Sequence, residues 1–364
     1  MKHRKTSLTP RRRVELALQK KPIDRIPFTV YENMIPQCVA ERTLRNRGLC
    51  IVKRMSVFST HRPNVNIREE VFWKSGRQMT RTYYETPAGT LDTLTEAAGF
   101  TTWRHEPLFK SPDDYKALHF LIRDEEYSPD YAAFAQAEKD FGEDAIFRAG
   151  LGLEPLQTLI SGGYLDTATF CMEWMDRRDE ILTLYRALVE KRRQVYSLVA
   201  QSPARHANYG GNVVPEIIGL KTFEEYYVPH YNEAAEIMHQ HGKLIGCHFD
   251  ANCKTLAKAI SGTDLDYIEA FTPAPDTDMT LAEACAAWPD KVLWLNFPSS
   301  VHLRGNAEIK QVTMDLLNQA GKIEGLIMGI TEDIPAHRWQ ESCREIMDGL
   351  ESHAGEHPDL YMTI

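Results

Sequence analysis

Between residues 143 and 330 the chain alternates between two textures. Short, nearly continuous apolar runs stand at 145–149, 206–209, 243–247, 267–271, 291–295 and 325–330. Between most of them lie longer amphipathic stretches, at 179–198, 222–241, 279–287 and 307–320. A strand covered on both faces reads as a short apolar run, and a helix lying over it shows one apolar stripe. Strand, helix, strand repeated this often predicts a parallel sheet.

The N-terminal part fits the same scheme. Thr9 is placed to cap a helix, Pro10 suits its first position, and Val14, Leu16, Ala17 and Leu18 begin its apolar face. That helix stops before Lys21-Pro22-Ile23-Asp24-Arg25, and residues 26–32 read as a first strand. With one more strand expected within 50–143 the count comes near eight, so a closed (β/α)8 TIM barrel, an α/β fold, is favoured over an open doubly wound sheet. No glycine-rich dinucleotide fingerprint follows a strand, in keeping with that choice. Residues 67–98 break the rhythm. Segments 78–85 and 89–94 are rich in strand formers and are split by Thr86-Pro87-Ala88, which predicts an antiparallel hairpin. A helix then starts after Ser111. The expected organisation is one barrel domain over 1–364, with 50–143 carrying the inserted hairpin and helical elaboration near the barrel mouth.

Composition narrows the function classes. The 364 residues are 43% hydrophobic and 26% charged, an ordinary globular balance. A net charge of −9 argues against a general nucleic-acid binder, which needs a basic surface for phosphate. The basic run Lys2-His3-Arg4-Lys5 with Arg11-Arg12-Arg13 reads as a solvated tail leading into the first helix. No stretch approaches the roughly 18 apolar residues of a membrane span, and no apolar segment follows the basic N-terminus as in a secretory signal. The seven cysteines are scattered and odd in number, which suits reduced thiols in a cytoplasmic protein. Cys247 and Cys253 have no second pair at zinc-finger spacing.

Barrel chemistry gathers at the C-terminal ends of the strands, where the βα loops lie. Those ends read Tyr31-Glu32-Asn33, Gly150 to Glu154, Tyr209-Gly210-Gly211-Asn212, His248-Phe249-Asp250, Glu269-Ala270-Phe271-Thr272, Asn296-Phe297 and Thr331-Glu332-Asp333. Polar and ionisable groups collect at this end of nearly every strand, which points to an enzyme. His248 and Asp250 are two apart and share one face of a strand, so they can bind one metal, or the carboxylate can orient the imidazole as a base. Glu269 sits in an apolar run, where an unpaired carboxylate is costly and a salt bridge would satisfy it. Glu32, His248, Asp250 and Glu269 are the candidate catalytic groups. Tyr31, Asn212, Phe249, Phe271 and Asn296 are candidates for substrate contact, with Tyr209 and Phe297 as further rim aromatics. Gly210-Gly211 suggests a close backbone approach, and Cys247 should face the helix layer as an inert thiol.

Several segments together resemble the uroporphyrinogen decarboxylase superfamily: Arg11-Arg12-Arg13-Val14 to Asp24-Arg25-Ile26-Pro27, Tyr226-Tyr227-Val228-Pro229-His230-Tyr231, His241-Gly242-Lys243 to His248, and Thr331-Glu332-Asp333-Ile334-Pro335. The resemblance implies a (β/α)8 barrel and either decarboxylation or cobalamin-dependent methyl transfer. Two departures direct it. Where the decarboxylase carries an Arg-Gln-Ala-Gly-Arg-Tyr type signature for substrate carboxylates, this chain has Tyr31-Glu32-Asn33-Met34-Ile35-Pro36. Where the thiol methyltransferases hold zinc with His-x-Cys and a distant cysteine, it has His248-Phe249-Asp250 and Thr331-Glu332.

The function these departures lead to is an O-demethylase type of methyltransferase, acting on a small methylated, typically methoxylated aromatic, substrate. The methyl acceptor would be a corrinoid protein or tetrahydrofolate. Zinc on His248, Asp250 and Glu332 would polarise the ether oxygen. The alternative is a metal-free decarboxylase or other acid–base lyase acting on a small carboxylate. A homodimer is the expected assembly, with neither nucleic acid nor membrane as partner.

Overall fold

The computed structural model of the protein describes residues 8–99, 101–321 and 323–362, and the run Lys2-His3-Arg4-Lys5 lies outside them. Eight strands close into a barrel. They are β1 (Phe28–Tyr31), β2 (Leu49–Met55), β3 (Ala145–Gly152), β4 (His206–Tyr209), β5 (Leu244–His248), β6 (Tyr267–Phe271), β7 (Val292–Leu295) and β8 (Leu326–Ile330). They follow chain order around the ring, and β1 pairs in parallel with both β2 and β8. The (β/α)8 barrel predicted from the hydrophobic rhythm is the fold, and the further strand expected within 50–143 is β2.

Local signals account for several helix starts. Thr9 accepts a hydrogen bond from the Arg12 amide and Pro10 opens the helix Pro10–Leu18. Thr280 and Glu283 form a reciprocal capping box at the start of Leu281–Ala287. The stretch expected as one helix over 222–241 is instead two, Pro215–Tyr226 and Val228–Gln240. Pro229 has no amide hydrogen to continue the first helix, so it sits in the first turn of the second. No helix among the described residues is long and apolar enough to cross a membrane.

The chain divides into two compact units. The first holds residues up to 57, 131–150 and from 200 onward, and so nearly all of the barrel. The second holds 58–130 and 151–199. In it the predicted hairpin is present as Arg77–Thr86 against Gly89–Ala98, and it is the centre of a four-stranded antiparallel sheet completed by Asn66–Lys74 and Thr101–Glu106. A two-stranded ribbon, Phe58–His61 with Glu126–Pro129, and the long helix Arg178–Gln201 belong to the same unit.

Inside the barrel, size is matched across neighbouring strands. Tyr267 on β6 is in register with Gly246 on β5 and its hydroxyl donates to the Ala207 carbonyl on β4 at 2.6 Å. A Cβ on Gly246 would collide with the Tyr267 ring. Gly246→Ala is therefore expected to destabilise the protein by about 1–3 kcal/mol through overpacking. Denaturant unfolding followed by circular dichroism measures the loss; a variant as stable as the parent would show that the ring moves aside freely.

Candidate active site

His248 ends β5, and Glu269 stands beside it in register on β6. Register-matched residues of adjacent strands face the same side of the sheet, so the two side chains meet inside the barrel. Glu269 Oε2 lies 2.8 Å from His248 Nδ1. Its other oxygen accepts from the Tyr31 hydroxyl on β1 and pairs with Arg148 Nη1 on β3 at 3.1 Å. Arg148 Nη2 also donates to the Tyr31 hydroxyl at 2.7 Å. Four strands thus contribute to one buried network. Glu269 is fully buried and Arg148 nearly so, and each supplies the opposite charge that offsets the hydration the other has lost.

The far side of the imidazole carries different partners. His248 Nε2 lies 3.5 Å from Asp250 Oδ2 and 3.7 Å from Glu332 Oε1. These three side chains bring one ligand atom each within 4.8 Å of one another. Glu332 is held by its backbone: Asn296 Oδ1 accepts from the amides of Thr331 (3.0 Å) and Glu332 (3.3 Å), and Asn296 Nδ2 donates to Thr272 Oγ1. Gly211, with φ +103°, lies against the His248 backbone where any Cβ would collide with its carbonyl. The close approach read from Gly210-Gly211 is made there.

Burial alone would lower the His248 pKa, but the charges and hydrogen bonds of Glu269 and Asp250 outweigh it and push it up to about 10. Burial acts on Glu269 in the opposite sense and is again overcome, by Arg148 first and then His248, which hold it at about 2. Asp250 is lowered against its burial by His248, whereas burial and the nearby carboxylates raise Glu332. Neighbouring acids with pKa values displaced in opposite directions are a common mark of acid–base or metal chemistry.

The other candidates lie elsewhere. Glu32 pairs with Arg54 at 3.4 Å and lines a separate cavity of about 210 Å3 with Glu41, Arg45 and Lys53. Asn212 is exposed, in the turn after β4 with φ 57°. Asn296 is buried, with its amide engaged by protein groups, so it positions Glu332 rather than offering itself to a substrate. Phe249 packs edge-on to Tyr231 and Phe223 of the overlying helices, and Phe271 edge-on to Trp288. Both are core residues. Phe249 follows the strand alternation outward from His248. Phe271, two residues after inward-facing Glu269, is turned outward by a bulge at Ala270, where φ is 60° and the β6–β7 register shifts. Tyr209 likewise meets Tyr231, and Phe297 meets His302. Of the rim aromatics only Tyr31 joins the network.

Sequence reasoning missed Arg148 and Arg54. Arg148 lies inside the apolar run 145–149, as Glu269 lies inside 267–271. Two opposite charges, each alone in a buried strand, were the available signal. Arg54, in register with Arg148, lays its guanidinium 3.8 Å from the centre of the Tyr31 ring and donates to Asn33 at 3.1 Å.

No family model matches the sequence, and no curated protein matches it. Among solved structures the fold is similar to a methyltransferase from Methanosarcina mazei, at 10% identity and a TM-score of 0.57, over 95% of this chain and 99% of that one. A putative vitamin-B12 independent methionine synthase from Listeria monocytogenes matches at 13% identity and a TM-score of 0.36, over 73% of this chain and 75% of that one. At 10% identity the likeness to the Methanosarcina mazei protein is one of fold.

Removing the charge at the centre of the network should be felt throughout it. Glu269→Gln leaves Arg148 buried and uncompensated and should cost about 3–5 kcal/mol. Glu269 contributes stability above its unfolded pKa of 4.5, lost as pH falls toward 2; His248 contributes below 6.5, lost as pH rises toward 10. The stability gap between parent and variant is thus fullest between pH 4.5 and 6.5 and narrows on both sides. Urea titrations across pH on chelator-treated protein, with imidazole NMR following His248 to a lower midpoint in the variant, check both parts. An unchanged midpoint would contradict the pairing.

Proposed function

We propose that the chain is a methyltransferase that removes a methyl group from a small methylated substrate, a methoxylated aromatic in the first instance, and passes it to a corrinoid protein or tetrahydrofolate. The reading rests on one observation: His248, Asp250 and Glu332 converge at the C-terminal ends of β5 and β8 while a buried carboxylate fixes the far nitrogen of the imidazole. The shared fold with a Methanosarcina mazei methyltransferase supports it.

The donor set fits zinc. Nitrogen and carboxylate ligands about 2.0–2.2 Å from a tetrahedral ion stand roughly 3.3–3.6 Å from one another. The Nε2 distances of 3.5 and 3.7 Å to the two carboxylates are close to that spacing. Three protein ligands leave a fourth position for substrate. Zinc bound there would supply Lewis acidity toward the substrate oxygen. The protein's own residues do the rest. Glu269 takes the Nδ1–H hydrogen bond and so presents the Nε2 lone pair outward. Asn296 holds the Thr331–Glu332 backbone so that the Glu332 carboxylate faces His248. Tyr31, with its hydroxyl donating to Glu269 and its pKa raised by burial, stays neutral and keeps the carboxylate in place. In the transfer itself the acceptor's nucleophile bonds to the methyl carbon as the carbon–oxygen bond breaks, and the electron pair remains on oxygen, which then takes up a proton.

A second reading is favoured by the elevated His248 pKa. Without metal, an imidazolium beside two carboxylates can donate its Nε2 proton, which suits a decarboxylase or other acid–base lyase acting on a small carboxylate.

Metal analysis and one assay separate the two. Purified protein should carry about one zinc per chain, and with methoxylated aromatics and a corrinoid protein it should release demethylated product. His248→Ala and Glu332→Ala should lose both metal and product formation. Fully active metal-free protein would exclude zinc, and turnover of small carboxylates without demethylation would favour the lyase.

A further inference from the structure

The second unit carries a groove of about 360 Å3 that the barrel chemistry does not use. Its walls come from the two-stranded ribbon and from one side of the helix Arg178–Gln201. Three cations line it, Arg62, Lys191 and Arg192, against a single carboxylate, Glu125. That carboxylate is fully engaged, since one oxygen accepts from Arg62 and the other from the Tyr127 hydroxyl at 2.6 Å. Among the described residues, Lys191 donates to the main-chain oxygen of Glu125 and Arg192 to that of Leu151, and neither reaches a carboxylate. Two positive charges in the groove are therefore not neutralised.

The guanidinium groups are also built into place. Gly152 has φ +82°, and any Cβ there would collide with the Arg192 guanidinium, so a glycine is what lets this side chain lie flat on the main chain. Nε of Arg192 and Nε of Arg62 are both shielded from solvent without a hydrogen-bond partner. A nitrogen that water does not reach is not offered to a ligand either, so binding falls to the terminal nitrogens, whose forked donors match the geometry of carboxylate and phosphate oxygens. Beside the cations, Phe58 and Tyr127 pack edge-to-face at 5.5 Å and, with Leu188, give the groove an apolar wall. The volume suits a small ligand.

We propose that this groove binds a small organic oxyanion, with Arg62, Lys191 and Arg192 holding its carboxylate or phosphate and Phe58 and Tyr127 covering its apolar body. The site belongs to the second unit alone and is independent of the methyl-transfer reading.

Isothermal titration calorimetry on the full chain at fixed ionic strength tests it, with inorganic phosphate in one arm and benzoate in the other. Saturable binding in either arm is expected, and the arm that binds more tightly identifies the source of the oxyanion. Arg192→Gln and Lys191→Gln should each weaken that binding by about tenfold or more, whereas Lys116→Gln, in a different cavity of the same unit, should not. Circular dichroism of each variant confirms that the fold is kept. Failure of both anions to saturate, or equal binding by the parent, Arg192→Gln and Lys191→Gln, would overturn the proposal.

Discussion

The carboxylate of Glu269 is the constraint around which the barrel interior is arranged. It has no access to water, so its charge persists only because Arg148 stands at 3.1 Å and His248 at 2.8 Å. Neither partner could sit there without it, because an isolated guanidinium or imidazolium in the same place would lose its hydration with nothing in exchange. The strand order brings these groups together from separate parts of the chain: β1 supplies Tyr31, β3 Arg148, β5 His248 and β6 Glu269. Closing the ring and satisfying the charges are the same event. Replacing the whole network by apolar side chains could leave a stable barrel, since buried ion pairs are not in themselves a strong source of stability. What the network sets is the state of the outward nitrogen of His248.

That nitrogen can take either a proton or a metal ion, and the network bears on both. With Nδ1 committed to Glu269, the proton-or-metal choice falls on Nε2 alone, between Asp250 and Glu332. A proton there gives an imidazolium held by three carboxylates; a metal ion there replaces the proton and draws in the same two outer carboxylates. The two states compete for one lone pair, so tight pairing with Glu269 both raises the basicity of the ligand and raises the proton's claim on it. Two carboxylates beside Nε2 shift that competition toward a divalent cation, which neutralises twice the charge. This electrostatic preference favours a divalent ion over the proton at Nε2.

The fold was legible because its signal is collective. Six apolar runs separated by amphipathic stretches leave few arrangements other than a parallel sheet, and small errors at their ends do not alter that. The break at Tyr227 between two helices shows the limit, since amphipathic periodicity continues across a break that Pro229 imposes. The convergence of the candidate site was legible in the same way: His248, Asp250 and Glu332 were picked from strand ends, and the fold brings one ligand atom of each within 4.8 Å of the others. What strand position could not supply was orientation and partnership. Alternation places Phe249 outward once His248 is known to face inward, yet the bulge at Ala270 reverses the expectation for Phe271, and nothing local in Glu269-Ala270-Phe271 announces a bulge. Asn296 looked like a group offered to substrate because its amide partners, the backbone of Thr331 and Glu332, lie 35 residues away. Arg148 was hidden by the apolar run around it.

The outward turn of the rim aromatics changes how a substrate would be held. Tyr209, Phe249 and Phe271 pack against Tyr231, Phe223 and Trp288, and Phe297 against His302, so these strand-end rings are engaged within the protein. Tyr31 remains, but Arg54 covers one of its faces at 3.8 Å. A guanidinium over one ring can also meet a second, and an aromatic substrate there would gain a cation–π contact. The same group would attract an anionic substituent, although its present contacts with Glu32 and Asn33 would then have to loosen. Selectivity in such a site would come from charge and hydrogen bonding at its edge more than from apolar enclosure.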